Sequence, residues 1–126
     1  MDFLYISQSK LKNGGRGVFA AKNFKKGELI ESCPIIEIPQ NNLEILCQTI
    51  LINYIFFFGK NKEKSLIALG FGSLYNHTYS PNARYKIKSR QKLIEFTAIK
   101  DIKKDEEITT NYIQDNNDST PLWFEV

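Results

Sequence analysis

Gly70-Phe71-Gly72-Ser73-Leu74-Tyr75-Asn76-His77-Thr78-Tyr79-Ser80-Pro81-Asn82 is the stretch that decides how the rest of the chain is read. It is dense in Gly, Asn, Ser and Pro, residues that favour turns and non-repeating backbone. It has neither the period of a helix nor the alternation of a strand. It is also too rich in specific side chains for a plain linker. Asn76 and His77 bring an amide and an imidazole to backbone whose own donors and acceptors need partners outside regular structure. His77 is the single histidine of the chain, so any Ser-His-Asp or Cys-His mechanism would pass through it. The alternative is a histidine satisfied inside the fold.

Short strands and turns flank this stretch. Residues 3–6 read as a strand. Asn13-Gly14-Gly15-Arg16-Gly17 is a turn signal leading into Val18-Phe19-Ala20-Ala21. Leu29-Ile30 and Ile35 to Ile38 give strand-like runs around Pro34, ended by Pro39. Residues 84–88 and 92–98 read as a hairpin around Ser89-Arg90-Gln91, and Lys103 to Glu106 as a turn before Ile108-Thr109-Thr110. In the middle, apolar residues at 43, 46, 47, 50, 51, 54, 55 and 58 fit helical spacing. Asn41 or Asn42 would cap that helix and Gly59 would end it, which predicts one helix over 42–58. Many short strands with one helix make a mainly β domain.

The chain has 126 residues, the size of one domain. It is 42% apolar, 13% aromatic and 25% charged, enough for a core and against wholesale disorder. The longest apolar run, Tyr54 to Phe58, is far short of the roughly 20 residues a membrane helix needs. The start, Met1-Asp2-Phe3-Leu4-Tyr5, has no signal-peptide pattern. A net charge of +3 does not by itself imply a nucleic-acid partner.

Two cysteines, Cys33 and Cys47, make no disulfide framework. With His77 they fall short of the four ligands a structural zinc usually takes, so no metal is expected. Both read as buried small hydrophobes in a reducing, cytoplasmic setting, or a nuclear one in a eukaryotic or viral source. The terminal Leu122-Trp123-Phe124 is costly to leave in water and is expected to fold back, either filling a core edge or closing a pocket.

Three segments in order carry a family resemblance: Gly15-Arg16-Gly17 entering a strand, Asn76 to Asn82, and Asp105-Glu106-Glu107-Ile108-Thr109-Thr110-Asn111-Tyr112. Together they resemble a SET domain, the fold of protein lysine methyltransferases that use S-adenosylmethionine. The chain is most similar to small stand-alone SET proteins of bacterial type, in the runs Glu31 to Pro34, Gly70 to His77 and Pro121 to Phe124. The resemblance implies a β-clip fold of short curved sheets with a knot-like C-terminal crossing. It implies core strands over 1–39 and 70–112, a middle insert with the helix over 40–69, and a zinc-free tail over 113–126.

It also implies the site. Gly15, Arg16 and Gly17 would lie against the methionine part of the cofactor, although a plain hairpin turn explains the same glycines. Asn76 and His77 would hold the cofactor within the crossing, with His77 structural rather than a base. Tyr112 would be the catalytic tyrosine, its hydroxyl at the transferring methyl, and Tyr85 a channel aromatic. Tyr75 and Tyr79 are further candidates for that channel, or core residues. Trp123 and Phe124 would pack near the adenine. The family's Tyr-x-Gly pattern is absent at Cys33, which leaves the number of methyls open. Thr78 and Asn111 also depart from common family residues.

The expected reaction is methyl transfer to the side-chain amine of a lysine on a partner protein. The competing expectation is a SET-fold module that binds a protein or the cofactor without catalysis. Monomer and homodimer both stay open. Arg84, Lys86, Lys88, Arg90 and Lys92 alternate and would share one face of a hairpin. That face is either solvated or a landing strip for an acidic partner or a nucleic-acid phosphate.

Overall fold

The structure is a computed structural model that describes residues 3–11, 15–59 and 61–112. Strand β1 (Leu4–Gln8) and β2 (Arg16–Ala20) form an antiparallel hairpin, with Leu4 opposite Ala20 and Gln8 opposite Arg16. The glycine-rich turn expected near residues 13–17 is therefore a hairpin connection. Gly15 sits at φ +57, a conformation that glycine adopts without penalty.

Strand β3 (Leu29–Glu37) is continuous, although Pro34 lies inside it. Its first part pairs with β8 (Leu93–Ala98) as far as Pro34, and its last part, from Ile35, pairs with β5 (Lys64–Ala68). The missing proline N–H thus falls where one ladder hands over to the next. This merges the two short runs expected on either side of Pro34.

The middle insert differs from the single helix expected over 42–58. Helix α1 covers only Gln40–Leu46; a 3-10 turn follows at Ile50–Tyr54, and then strand β4 (Ile55–Phe58). The N-cap is Pro39 with no side-chain cap; Asn42 donates instead to the side chain of Asn41 at 2.9 Å. Thr49 ends the helical run: its hydroxyl accepts from the Leu51 N–H at 3.2 Å, which starts a new turn. Beyond it, Ile55-Phe56-Phe57-Phe58 is a β-branched and aromatic run that pairs with β5 from Ile55 opposite Ile67 to Phe58 opposite Lys64. A short apolar run satisfies helix and strand spacing alike, and the partner strand decides.

The hairpin of β7 (Ala83–Lys88) and β8 forms as expected, with Ala83 opposite Ala98 and Lys88 opposite Leu93. Only Arg84, Lys86 and Lys88 share its outward face. Arg90 lies in the 3-10 turn Ser89–Gln91, and Lys92 is left-handed at φ 57, so neither continues the alternation. Five strands run in the order β4-β5-β3-β8-β7. The second sheet has the order β1-β2-β9-β6, with β6 Asn76–His77 and β9 Glu107–Thr110.

The two sheets close over one core that includes Val18, Phe24, Leu66, Ile94, Phe96, Ile102 and Ile108. Cys33 belongs to it, fully buried. Cys47 does not: it is exposed beside the end of α1, contrary to the expectation that both cysteines are buried. No helix among the described residues is long and apolar enough to cross a membrane.

Strands β6 and β9 are parallel, with Asn76 opposite Thr109 and His77 opposite Thr110. Thr78 N–H extends the pairing to the Thr110 carbonyl at 2.9 Å. The chain then turns at Pro81, and Asn82 grips the same strand: its Nδ2 donates to the Glu107 carbonyl and its Oδ1 accepts from the Thr109 N–H, both at 2.8 Å. The irregular stretch that opened the sequence reading is thus the clasp around β9.

Candidate active site

The clasp delivers Asn76 to the start of β2. Asn76 Nδ2 donates to the Arg16 carbonyl at 3.0 Å and to Glu107 Oε2 at 2.8 Å. The other Glu107 oxygen, Oε1, accepts from the Ser9 hydroxyl at 2.7 Å. Gly17 lies directly against this carboxylate: a Cβ there would collide with Glu107 Oε2 and stand 2.9 Å from Asn76 Nδ2. Gly17 is therefore required for close packing, whereas a Cβ on Gly15 would meet nothing within 4 Å. Gly15, Arg16, Gly17 and Asn76 come together as the sequence implies, with Arg16 taking part through its carbonyl. The amide N–H groups of Asn76 are committed, which leaves its oxygen for a ligand.

His77 is 5% exposed, and its Nδ1 accepts the backbone N–H of Tyr112 at 2.9 Å. Its ring stands edge-on to Tyr79, with centroids 4.7 Å apart. An Nδ1 lone pair used this way cannot also take a proton from a substrate, so the imidazole positions Tyr112. The Tyr112 hydroxyl donates to the Tyr75 carbonyl at 2.6 Å. Burial, with the Tyr54 and Glu107 charges adding to it, pushes the phenol well above its usual range. It therefore stays a neutral O–H, with its proton directed to the Tyr75 carbonyl.

Tyr85 is buried, and its hydroxyl donates to the Tyr112 carbonyl at 2.7 Å. Tyr112 is thus held at its N–H by His77 and at its carbonyl by Tyr85. The Tyr85 ring packs edge-on against Phe56 at 5.0 Å, and Phe56 meets Tyr112 at 6.2 Å. These three rings form one aromatic cluster. Tyr75 is a core residue instead, 1% exposed, with its hydroxyl donated to Glu31 at 2.7 Å. Tyr79 is 45% exposed. Trp123 and Phe124 lie outside the described residues.

Two site residues were not singled out by sequence reasoning. Phe56 was hidden in the expected helix, and its strand-type neighbours were the signal that could have found it. Glu107 stood beside Glu106 within the third segment of the resemblance, with no site role assigned to it. The structure separates them: Glu106 accepts from the Lys103 N–H at 2.6 Å and closes a turn, while Glu107 joins Ser9, Asn76 and Gly17. Cys33 offers no nucleophile, because burial, reinforced by Glu31, pushes its thiol up. No His/Cys/Asp/Glu group that could hold a metal exists among the described residues. A carboxylate, an amide oxygen, open glycine backbone and neighbouring aromatic rings together suit a cationic organic ligand.

Comparison with known proteins agrees with this geometry. The family model described as "SET domain" matches residues 15–113. The histone-lysine N-methyltransferase of Schizosaccharomyces pombe specific for H3 lysine 37 is 32% identical over 112 residues, covering 88% of this chain and 71% of that protein. A crystal structure of a candidate histone methyltransferase from Plasmodium falciparum matches with a TM-score of 0.66 and 32% identity, over 92% of this chain and 97% of that one. The polycomb repressive complex 2 of Chaetomium thermophilum, in an autoinhibited conformation bound to S-adenosylmethionine, matches with a TM-score of 0.72 and 25% identity, over 86% of this chain and 15% of that one.

Proposed function

The chain belongs to the SET-domain family, the protein lysine methyltransferases that use S-adenosylmethionine, and on that premise we propose that it transfers the cofactor's methyl group to the side-chain amine of a lysine on a partner protein. The observation that carries this reading is the fixed pair of oxygens at Tyr112 and Tyr75, 2.6 Å apart and joined by the phenolic proton. When bound, S-adenosylmethionine supplies an electrophilic methyl on a sulfonium.

The residues present fit that group. Glu107 places a negative charge by the glycine turn, against which the cofactor's methionine part lies in this reading. The Asn76 oxygen would accept from the cofactor's ammonium. Gly15 leaves the backbone open on the ligand side. The Tyr112 oxygen, its own proton turned to Tyr75, would accept weak C–H contacts from the methyl.

The transfer consumes one positive charge and creates another, so it needs no oxyanion hole. Alignment of the amine with the methyl supplies much of the acceleration, up to roughly 7–11 kcal/mol. The incoming lysine must be neutral, and its free pKa is about 10.4. Phe56, Tyr85 and Tyr112 lower it by removing water from the amine. Their ring faces also tolerate the methylated ammonium that leaves.

The S. pombe relative acts on histone H3, which makes H3 the first substrate to offer. Wild type, cofactor and H3, alongside a lysine-peptide library, are followed by mass spectrometry. Addition of whole methyl groups to a lysine is the expected result. Cofactor binding without transfer to any member of the library favours the non-catalytic module.

A further inference from the structure

We propose that the outward face of the β7–β8 hairpin, with the turn at Lys26-Gly27, is a docking site for the phosphate backbone of a nucleic acid. A groove of about 470 Å³ lies there, lined by Lys26, Gly27, Arg84, Lys86, Glu95 and Thr97. Arg84 stands opposite Thr97 and Lys86 opposite Glu95, so these side chains project from one face of the hairpin. The floor is low, since a Cβ on Gly27 would meet nothing within 4 Å.

The charges are arranged for an anion. Glu95 is paired with Lys88 at 2.9 Å. Asp101 lies close by, where its carboxylate accepts the Lys26 backbone N–H at 2.9 Å. Lys26, Arg84 and Lys86 form no ion pair among the described residues. Lys26, Arg84, Lys86 and Lys88 thus outnumber the two nearby carboxylates. Successive outward residues on a strand lie about 6.7 Å apart. Arg84 and Lys86 are thus far enough apart to meet separate phosphates of one strand, which carries a charge every ~3.4 Å along the duplex axis.

The same groove suits an acidic protein segment less well. Protein partners are anchored by aromatic or apolar side chains seated in pockets. Here the Tyr85 ring points to the other side of the sheet, into the cluster with Phe56. Ala98 and Ile99 add apolar atoms to the wall beside the charged groups of Lys26, Arg84 and Lys86, and those charged groups are what a phosphate backbone uses. Docking here does not depend on the methyl-transfer reading.

The test is fluorescence anisotropy of a labelled DNA duplex of arbitrary sequence, titrated with the protein at several salt concentrations. Three neutralised phosphates predict a slope of about −2.7 for log K against log salt. The double variant Arg84→Gln/Lys86→Gln should reduce the slope to about −0.9 and weaken low-salt binding at least tenfold, because two of the three contacts are gone. Glu95→Gln should tighten binding. Binding of S-adenosylhomocysteine, measured on the same samples, should not change in either variant, which shows that they fold. No duplex binding at low salt, or an unchanged slope in the double variant, overturns the proposal. Tighter binding of a poly-glutamate peptide than of DNA also overturns it, in favour of an acidic protein partner.

Discussion

The backbone N–H of Tyr112 donates to Nδ1 of His77 across 2.9 Å, and His77 is itself fixed on a strand that runs parallel to the one leading into Tyr112. The lone histidine of the chain therefore acts through geometry. His77→Leu would leave that N–H without its acceptor in a largely buried place, at a cost of about 1–3 kcal/mol. It should lower kcat and the thermal midpoint together. Unchanged kcat in a folded His77→Leu protein would remove the positioning role.

Gly17→Ala tests the cofactor side. The added Cβ meets Glu107, which cannot move away without breaking its bonds to Asn76 and Ser9. Overpacking of this kind costs about 1–3 kcal/mol. Affinity for S-adenosylhomocysteine should fall more than tenfold by calorimetry. Gly15→Ala differs: open space surrounds it, so only its left-handed backbone opposes the change.

Tyr85→Phe removes the donor to the Tyr112 carbonyl while keeping the ring against Phe56. Stability should drop by about 0.5–1.5 kcal/mol, the net value of one hydrogen bond. The turnover rate should fall with KM for the peptide nearly unchanged. A rise in KM alone, measured by steady-state kinetics, would show instead that the Tyr85 hydroxyl meets the substrate.

Most of the strands that flank the clasp were legible in the sequence, because turns announce themselves through Gly, Pro and Asn, and the crossing itself was implied by the family resemblance. Asn76 lies against Gly17, and His77 binds Tyr112, all in segments that the resemblance singled out. The middle insert was not legible. Its apolar residues fit a helix until Thr49 caps a new turn and β5 offers an edge, and both facts belong to tertiary structure. Phe56 was lost with it. Glu107 could not be told from Glu106 because the boundary between turn and strand falls between them, and only the fold shows that Glu106 closes the turn while Glu107 opens β9 against Gly17. Cys47 failed for a related reason: the shortened helix buries none of its residues and leaves the cysteine at its end exposed.

The pH dependence of stability follows from two buried phenols. Burial raises both Tyr75 and Tyr112, with Glu31 adding to the first and Tyr54 and Glu107 to the second. In the unfolded chain tyrosines ionise near pH 10. The folded protein holds these two neutral beyond that point. Their contribution is complete below the unfolded value and is lost as pH rises from there toward the folded values. The thermal midpoint should therefore be flat from pH 8 to about 9.5 as far as these groups are concerned, and fall above pH 10. Tyr75→Phe should flatten that fall.

The most direct test of the central claim is the rate of methyl transfer by Tyr112→Phe, measured beside its affinity for S-adenosylhomocysteine. The variant keeps the ring and loses only the oxygen placed 2.6 Å from the Tyr75 carbonyl. A misplacement at the reacting centre costs about 10²-fold. The account predicts a rate loss of at least that size with cofactor affinity within a few-fold of wild type. Wild-type turnover by Tyr112→Phe would contradict it and take the catalytic role away from this tyrosine.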